Sequence, residues 1–415
     1  MAHIRPFRGV RPIPEMISRV ASPPYDVLSS EEARERAKGN PYSFLHVIKP
    51  EIDLEPSIDL HDPIVYETAG KNFHELRKKK ILIQDKRPCF YIYKLKMGSH
   101  QQTGVVAVAS VEDYVENRIK KHEHTRPDKE EDRMNHIRSL MAQTGPVFLT
   151  YRYNGEIDLL IEEAVEKKPV YEFTGDHDVV HTLYIVDSDE LIQKIKKSFE
   201  GVDALYVADG HHRSAAAVRV CDLLKKENPN HTGEEEYNYF LCVIFPDNQM
   251  QILDYNRVVR DLNGLSERDF LKKISANFDV KPYERGGPYR PDAIHKFGMY
   301  LGGRWYVMEA RDGSFDSDDP VESLDVAILQ NNLLSPVLGI NNPRTDKRIE
   351  FVGGIRGMEE LERLVNSGDF AVAFSMYPTG IAQLLSVADA GKVMPPKSTW
   401  FEPKLASGVV VHMLE

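Results

Sequence analysis

Asp209-Gly210-His211-His212-Arg213-Ser214 sets a carboxylate, two imidazoles, a guanidinium and a hydroxyl around one glycine. Gly210 allows a sharp turn or close approach to a ligand. A helix starting here directs its free N–H groups at whatever occupies the turn, and such an end attracts phosphate. Asp209 suits a metal ion or a hydroxyl, while His211, His212 and Arg213 supply donors for phosphoryl oxygens. The simpler alternative is a helix start capped by Asp209 with two surface histidines, but the motif is denser than capping requires.

A second polar run is His122-Glu123-His124-Thr125-Arg126, followed by Arg133 seven residues beyond. On an extended segment His122 and His124 share one side and Glu123 faces the other. That spacing suits a metal, although a charged loop leading into a charged first helical turn is also the ordinary look of a solvated surface. The third candidate is Lys397-Ser398-Thr399 behind two prolines. It lacks the glycines of a P-loop, so it is expected at most to contribute a phosphate or substrate contact.

The elements that would position these groups follow from hydrophobic period. Val202 to Val207 reads as a short buried strand and Ser214 to Lys226 as a helix with one apolar face. Cys89–Met97 and Thr103–Val111 read as a hairpin joined through residues 98–102. An amphipathic helix is predicted from about Asp128 to Gln143. Pro146–Arg152, Val179–Val186 and Tyr239–Phe245 read as strands, and Asp158–Lys167 and Ser188–Glu200 as helices. Alternating strands and helices predict an α/β fold with a mixed sheet. Downstream, Gln251–Val259 reads as a strand and Val321–Leu334 as a helix, with a boundary near Asn263-Gly264 dividing residues 1–262 from 263–415.

The motif at 209–213 resembles the Asp-Gly-His-His-Arg motif of the ParB/sulfiredoxin-like superfamily, as found in its ADP-dependent free serine kinases. Gly210, His212 and Arg213 also match the sulfiredoxin phosphate motif, but His211 stands where those enzymes carry their reactive cysteine, which argues against sulfinic-acid repair. Only Gly210 and Arg213 match the CTP-binding box of ParB proteins. Across its length the chain is similar to the bacterial and archaeal domain of unknown function one thousand and fifteen. The residues carrying that likeness are Pro23 to Val27, His122 to Thr125, Ala208 to Arg213, Arg348 to Gly354 and Met394 to Thr399. The resemblance implies a ParB/sulfiredoxin-like nucleotide-binding core within residues 1–262, with an additional N-terminal segment and a C-terminal α/β domain over 263–415. It also implies Asp209 and Glu123 as catalytic residues, Glu123 as general base. Gly210, His211, His212, Arg213 and Ser214 would then bind nucleotide phosphates, and His122, His124, Thr125, Arg126, Arg133, Lys397, Ser398 and Thr399 the substrate.

Composition bounds these readings. The chain has 415 residues, 41% hydrophobic, with 53 basic and 64 acidic residues and a net charge of −11. That length accommodates two or three domains, and that charge opposes general nucleic-acid binding, which needs a basic face. Cys89, Cys221 and Cys242 lack metal-site spacing and sit in apolar runs, as buried thiols do. Prolines break Met1 to Val20 as a signal segment, and no stretch has the apolar length of a membrane span. A cytoplasmic protein is expected. The leading functional expectation is a small-molecule kinase using ADP or ATP with Mg²⁺, Asp209 holding the metal, and L-serine as a candidate acceptor. Two alternatives stay open. One is a ParB-like nucleotide switch. The other is a phosphoester hydrolase with a metal on His122, His124, Asp209, His211 and His212.

Overall fold

The computed structural model describes residues 3–415. It divides into two compact units, Met1–Met250 with Pro403–Glu415, and Gln251–Glu402. The chain's end therefore returns to the first unit, and Asn263-Gly264 falls inside the second.

The first unit is built on a nine-stranded mixed sheet. Its strands are β1 (Ile4–Arg5), β2 (Phe90–Met97), β3 (His100–Ser110), β4 (Ile119–Lys120), β5 (Val147–Tyr151), β6 (Tyr171–Thr174), β7 (Val180–Val186), β8 (Leu205–Asp209) and β9 (Tyr239–Pro246). They lie in the order β4-β8-β5-β9-β3-β2-β7-β6, with β1 added beside β3. The predicted hairpin is present as β2 and β3, its turn shortened to Gly98-Ser99. β9 reads as a run of apolar residues because it is interior, pairing parallel to β5 and antiparallel to β3.

The helices of this unit include α1 (Ser30–Ala37), α2 (Pro63–Lys78), α3 (Pro127–Leu140), α4 (Gly155–Val165), α5 (Asp189–Glu200) and α6 (His211–Glu227). Caps set several starts: Ser29 and Glu32 form a reciprocal capping box on α1, and Ser188 accepts from Leu191 N–H at α5. α4 starts three residues earlier than predicted, because Asn154 caps it through Glu156 N–H. α3 ends at Leu140, ahead of the expected Gln143, where Met141 adopts a left-handed backbone.

Val105, Leu149, Val207 and Ile244 have no exposed surface. Each such side chain contributes about 1.5–3 kcal/mol relative to exposure. A second cluster, including Phe44, Val47, Phe73 and Val411, packs the N-terminal helices with the returning C-terminal segment. Val10 and Val411 exchange backbone hydrogen bonds of 2.8 Å in both directions. Cys89, Cys221 and Cys242 are buried free thiols, as their apolar surroundings predict.

The second unit carries a six-stranded antiparallel sheet in the order Phe278–Pro282, Arg304–Ala310, Lys296–Leu301, Val372–Met376, Tyr255–Val259, Ile349–Gly353. The strand expected over Gln251–Val259 is two strands in different sheets, Ile252–Leu253 and Tyr255–Val259, interrupted at buried Asp254. The helix expected over Val321–Leu334 is α-helical only at Asp325–Leu329 and continues as a π-helical turn over Gln330–Leu334. Among the described residues no helix is long and apolar enough to cross a membrane.

Candidate functional site

The site is assembled where β4 and β8 end side by side. Their pairing is parallel, with Leu205 opposite Ile119 and Tyr206 opposite Lys120, so His122-Glu123 leaves the sheet beside Ala208-Asp209. On the other flank of β8 the register to β5 shifts between Val207 and Asp209, a bulge of the kind that re-aims a strand's last side chain. Gly210 then takes φ +97° and serves as N-cap of α6. The helix thus starts at His211, three residues earlier than expected, and His211, His212 and Arg213 occupy its first turn. No side chain caps it.

Gly210 is required twice. Its positive φ disfavours any side chain, and a Cβ there would lie 3.0 Å from Arg213 Nε and 3.1 Å from Cζ. The Arg213 guanidinium therefore folds back over the start of its own helix, donating to the Pro146 carbonyl and standing 3.7 Å from Asp209 Oδ1. Asp209 Oδ2 accepts from Lys404 Nζ at 3.1 Å. Lys404 belongs to the returning C-terminal segment and has no signal in the sequence. A shallow cleft is lined by residues that include Tyr25, Arg133, Thr144, Gly145 and Arg213. The Arg133 guanidinium donates twice to Asp132, at 3.0 and 2.8 Å, and lies 4.0 Å over the Tyr25 ring.

The family follows from the sequence match: residues 4–327 fit the one described as protein of unknown function (DUF1015). This chain is a member of that family. No curated protein matches it. Solved structures with similarity to it include a conserved hypothetical protein from Pyrococcus furiosus, at 14% identity and TM-score 0.34, covering 72% of this chain and 90% of that one. A free serine kinase in complex with AMP aligns at 14% identity and TM-score 0.33, covering 72% and 86%. SbnI from Staphylococcus aureus with C-terminal truncation aligns at 11% identity and TM-score 0.36, covering 72% and 84%.

Within this DUF1015 protein the matched region contains the 122–126 loop and the 209–214 motif, whereas Arg348 to Gly354 and Met394 to Thr399 lie beyond it. Charge at the motif is strongly biased. Burial alone opposes ionisation of Asp209, but the charges of Lys404 and Arg213 outweigh it and hold the carboxyl well below the usual carboxylate range. Burial pushes the His122 imidazole down to about 4 and drives His211 well below its ordinary value, helped there by the neighbouring His122.

His122 and His211 are 2% and 5% exposed, and their rings meet edge to face with centroids 4.4 Å apart. His122 Nδ1, like Nε2 of His211, is buried with no hydrogen-bond partner. An unmet buried polar atom costs about 1–3 kcal/mol, which makes two in contact an unusual arrangement. With Glu123 these histidines offer one donor atom each within 4.8 Å of one another.

Other predicted residues are placed differently. The alternation expected over His122 to His124 fails because the chain bends at Glu123: His122 is buried, Glu123 half-buried and His124 exposed. His212 is tied to the loop instead, its Nε2 accepting from Arg126 N–H at 3.2 Å. The Arg126 guanidinium pairs with Asp128 at 2.7 Å, and Thr125 donates to Glu130. Ser214 is fully buried and donates to the His211 carbonyl at 3.0 Å, so its hydroxyl turns into the helix. Asp209, expected to hold a metal, directs its oxygens to Lys404 and Arg213 and stands outside the His122-Glu123-His211 group. Lys397, Ser398 and Thr399 belong to the second unit. There Ser398 Oγ donates to the Pro395 carbonyl at 2.6 Å, and the Lys397 carbonyl accepts from Arg257 at 2.9 Å.

Proposed function

We propose that the protein is a nucleotide-dependent phosphotransferase that binds the phosphates of ADP or ATP at the start of α6 and transfers a phosphoryl group to a small-molecule hydroxyl. One observation carries this reading: a glycine-started helix end without a side-chain cap, with the Arg213 guanidinium folded over it. Free N–H groups and the positive end of the helix dipole favour an anion, and Arg213 adds a full charge at the same place. Arg133 brings a second guanidinium to the cleft. Phosphoryl transfer needs positioning and charge neutralisation more than covalent chemistry, and these are the groups that supply them.

The choice of adenine nucleotide and of L-serine as the first acceptor to test rests on the likeness of Asp209 to Arg213 to the free serine kinase motif. In this reading Asp209 stays ionised beside the phosphates, and Lys404 fixes its orientation. Glu123 takes the proton of the attacking hydroxyl. Mg²⁺ takes oxygen ligands and would be held largely through the phosphates, where it would neutralise charge on the transferred group. The exposed His124 and Arg126 are left to face the acceptor.

The test is a thermal-shift panel of ADP, ATP, CTP and GTP with Mg²⁺, with and without L-serine, followed by a phosphoserine-formation assay. An adenine nucleotide should raise the midpoint by mass action, serine should raise it further, and Arg213→Ala should remove both effects. Absence of any nucleotide-dependent shift in the folded wild-type protein would overturn the proposal.

A further inference from the structure

We infer that His122, Glu123 and His211 form a site for one transition-metal dication of the Zn²⁺, Co²⁺ or Fe²⁺ class, separate from the oxygen-ligated Mg²⁺ of a nucleotide complex. The donor atoms are His122 Nδ1, His211 Nε2 and a carboxylate oxygen of Glu123. Both nitrogens are buried and unpartnered, and all three residues bring a donor within 4.8 Å of the others. Nothing in the described protein answers the two imidazole nitrogens, and a shared Lewis acid answers both at once.

Distances allow it. With metal–nitrogen and metal–oxygen bonds of about 2.0–2.2 Å, tetrahedral donors lie roughly 3.3–3.5 Å apart. The donors, within 4.8 Å of one another, therefore need to close by no more than about 1.5 Å, a side-chain rotation rather than a backbone shift. Two imidazoles and one carboxylate favour Zn²⁺, Co²⁺ or Fe²⁺ over Mg²⁺. Three protein donors leave a coordination position open for water or a substrate oxygen. His211 is the first residue of α6, so the open position lies close to the end that the proposed function assigns to phosphate. With the ion bound Glu123 is a ligand, so the proton-accepting role given to it above belongs to the metal-free protein, and the inference does not depend on that function.

The test uses the full chain, stripped with EDTA and desalted, and titrated without nucleotide. Co²⁺ is followed by its visible d–d absorption and Zn²⁺ by calorimetry. One ion per chain is expected, retained against excess Mg²⁺. Loss of an outer-sphere partner alone weakens metal binding about 10–100-fold, so His122→Gln and His211→Gln should each weaken it by at least as much, and Glu123→Gln should change the Co²⁺ spectrum. His74→Gln, at an exposed position on α2 outside the site, should match wild type. Circular dichroism checks that each variant is folded, and Glu123→Gln, at a half-buried position, keeps the test decisive if a histidine variant unfolds. No stoichiometric uptake by folded wild type, displacement by Mg²⁺, or equal binding by wild type and the folded ligand variants would overturn the inference. Because uptake is read without nucleotide, its failure is distinct from failure of phosphotransfer.

Discussion

Gly210→Ala perturbs the motif at one atom, and a matched control separates its two effects. Gly210 has φ +97° and Gly233 φ +98°, but a Cβ on Gly233 meets nothing within 4 Å, whereas a Cβ on Gly210 meets Arg213 Nε at 3.0 Å. Both alanines carry the backbone cost of a positive φ, of order 1–3 kcal/mol. Only the Gly210 variant must also displace the guanidinium from the Pro146 carbonyl and from Asp209. A hydrogen bond to a charged group contributes about 1.5–3 kcal/mol, so Gly210→Ala should be the more destabilising by roughly that amount. Equilibrium urea denaturation of both variants reads the difference as a midpoint shift at constant slope. Nucleotide-induced stabilisation should survive in Gly233→Ala and fall in Gly210→Ala. Equal midpoints for the two, with unchanged nucleotide response, would refute the packing of Arg213 against the helix start as the reason for this glycine.

Lys404→Met removes the 3.1 Å partner of Asp209 and leaves a half-buried carboxylate with Arg213 alone. A loss of about 1.5–3 kcal/mol is expected, as for a hydrogen bond between charged groups, most of it absent in an Asp209→Asn background, as a double-mutant cycle would show. The Asp209 carboxyl is held below its ordinary value, so the stability it contributes is present above about pH 4 and is lost as pH falls through its folded value. Asp209→Asn should therefore flatten acid unfolding below pH 4; an unchanged profile would count against the ion pair. His181, far along the sheet and hydrogen-bonded through Nδ1 to Tyr93 Oη at 2.7 Å, is pushed down to about 4 by burial. A lowered imidazole contributes stability that is whole above about 6.5 and declines as pH falls toward 4, by up to about 1.4 kcal/mol per pH unit. His181→Gln should reduce that slope, measured by urea midpoints between pH 7 and 4.5.

Much of the local structure was legible because its causes are local. A buried strand, a glycine and an apolar-faced helix around residues 202–226 can be read from hydrophobic period and from one residue that tolerates positive φ. The β2–β3 hairpin is a short-range event of the same kind. The helix start was misread because the polar residues 211–213 look like a loop; Gly210 turns the chain directly into α6, and their side chains meet tertiary partners. The His122-Glu123-His124 alternation failed for a comparable reason, since a single bend at Glu123 cancels the period of two on which the reading relied.

The sequence by itself determined the strand-turn-helix, the glycine at its hinge, the buried thiols and the chemical types gathered at the motif. Only the tertiary structure decided which of them meet. Parallel pairing of β4 with β8 sets His122 against His211, and return of the C-terminal segment sets Lys404 against Asp209, 195 residues away. Contacts of that span depend on sheet order and chain path. Neither leaves a periodic trace near the residues involved, because the energy that selects them resides in the apolar core of the sheet and of the N-terminal helices, not in the polar groups they bring together.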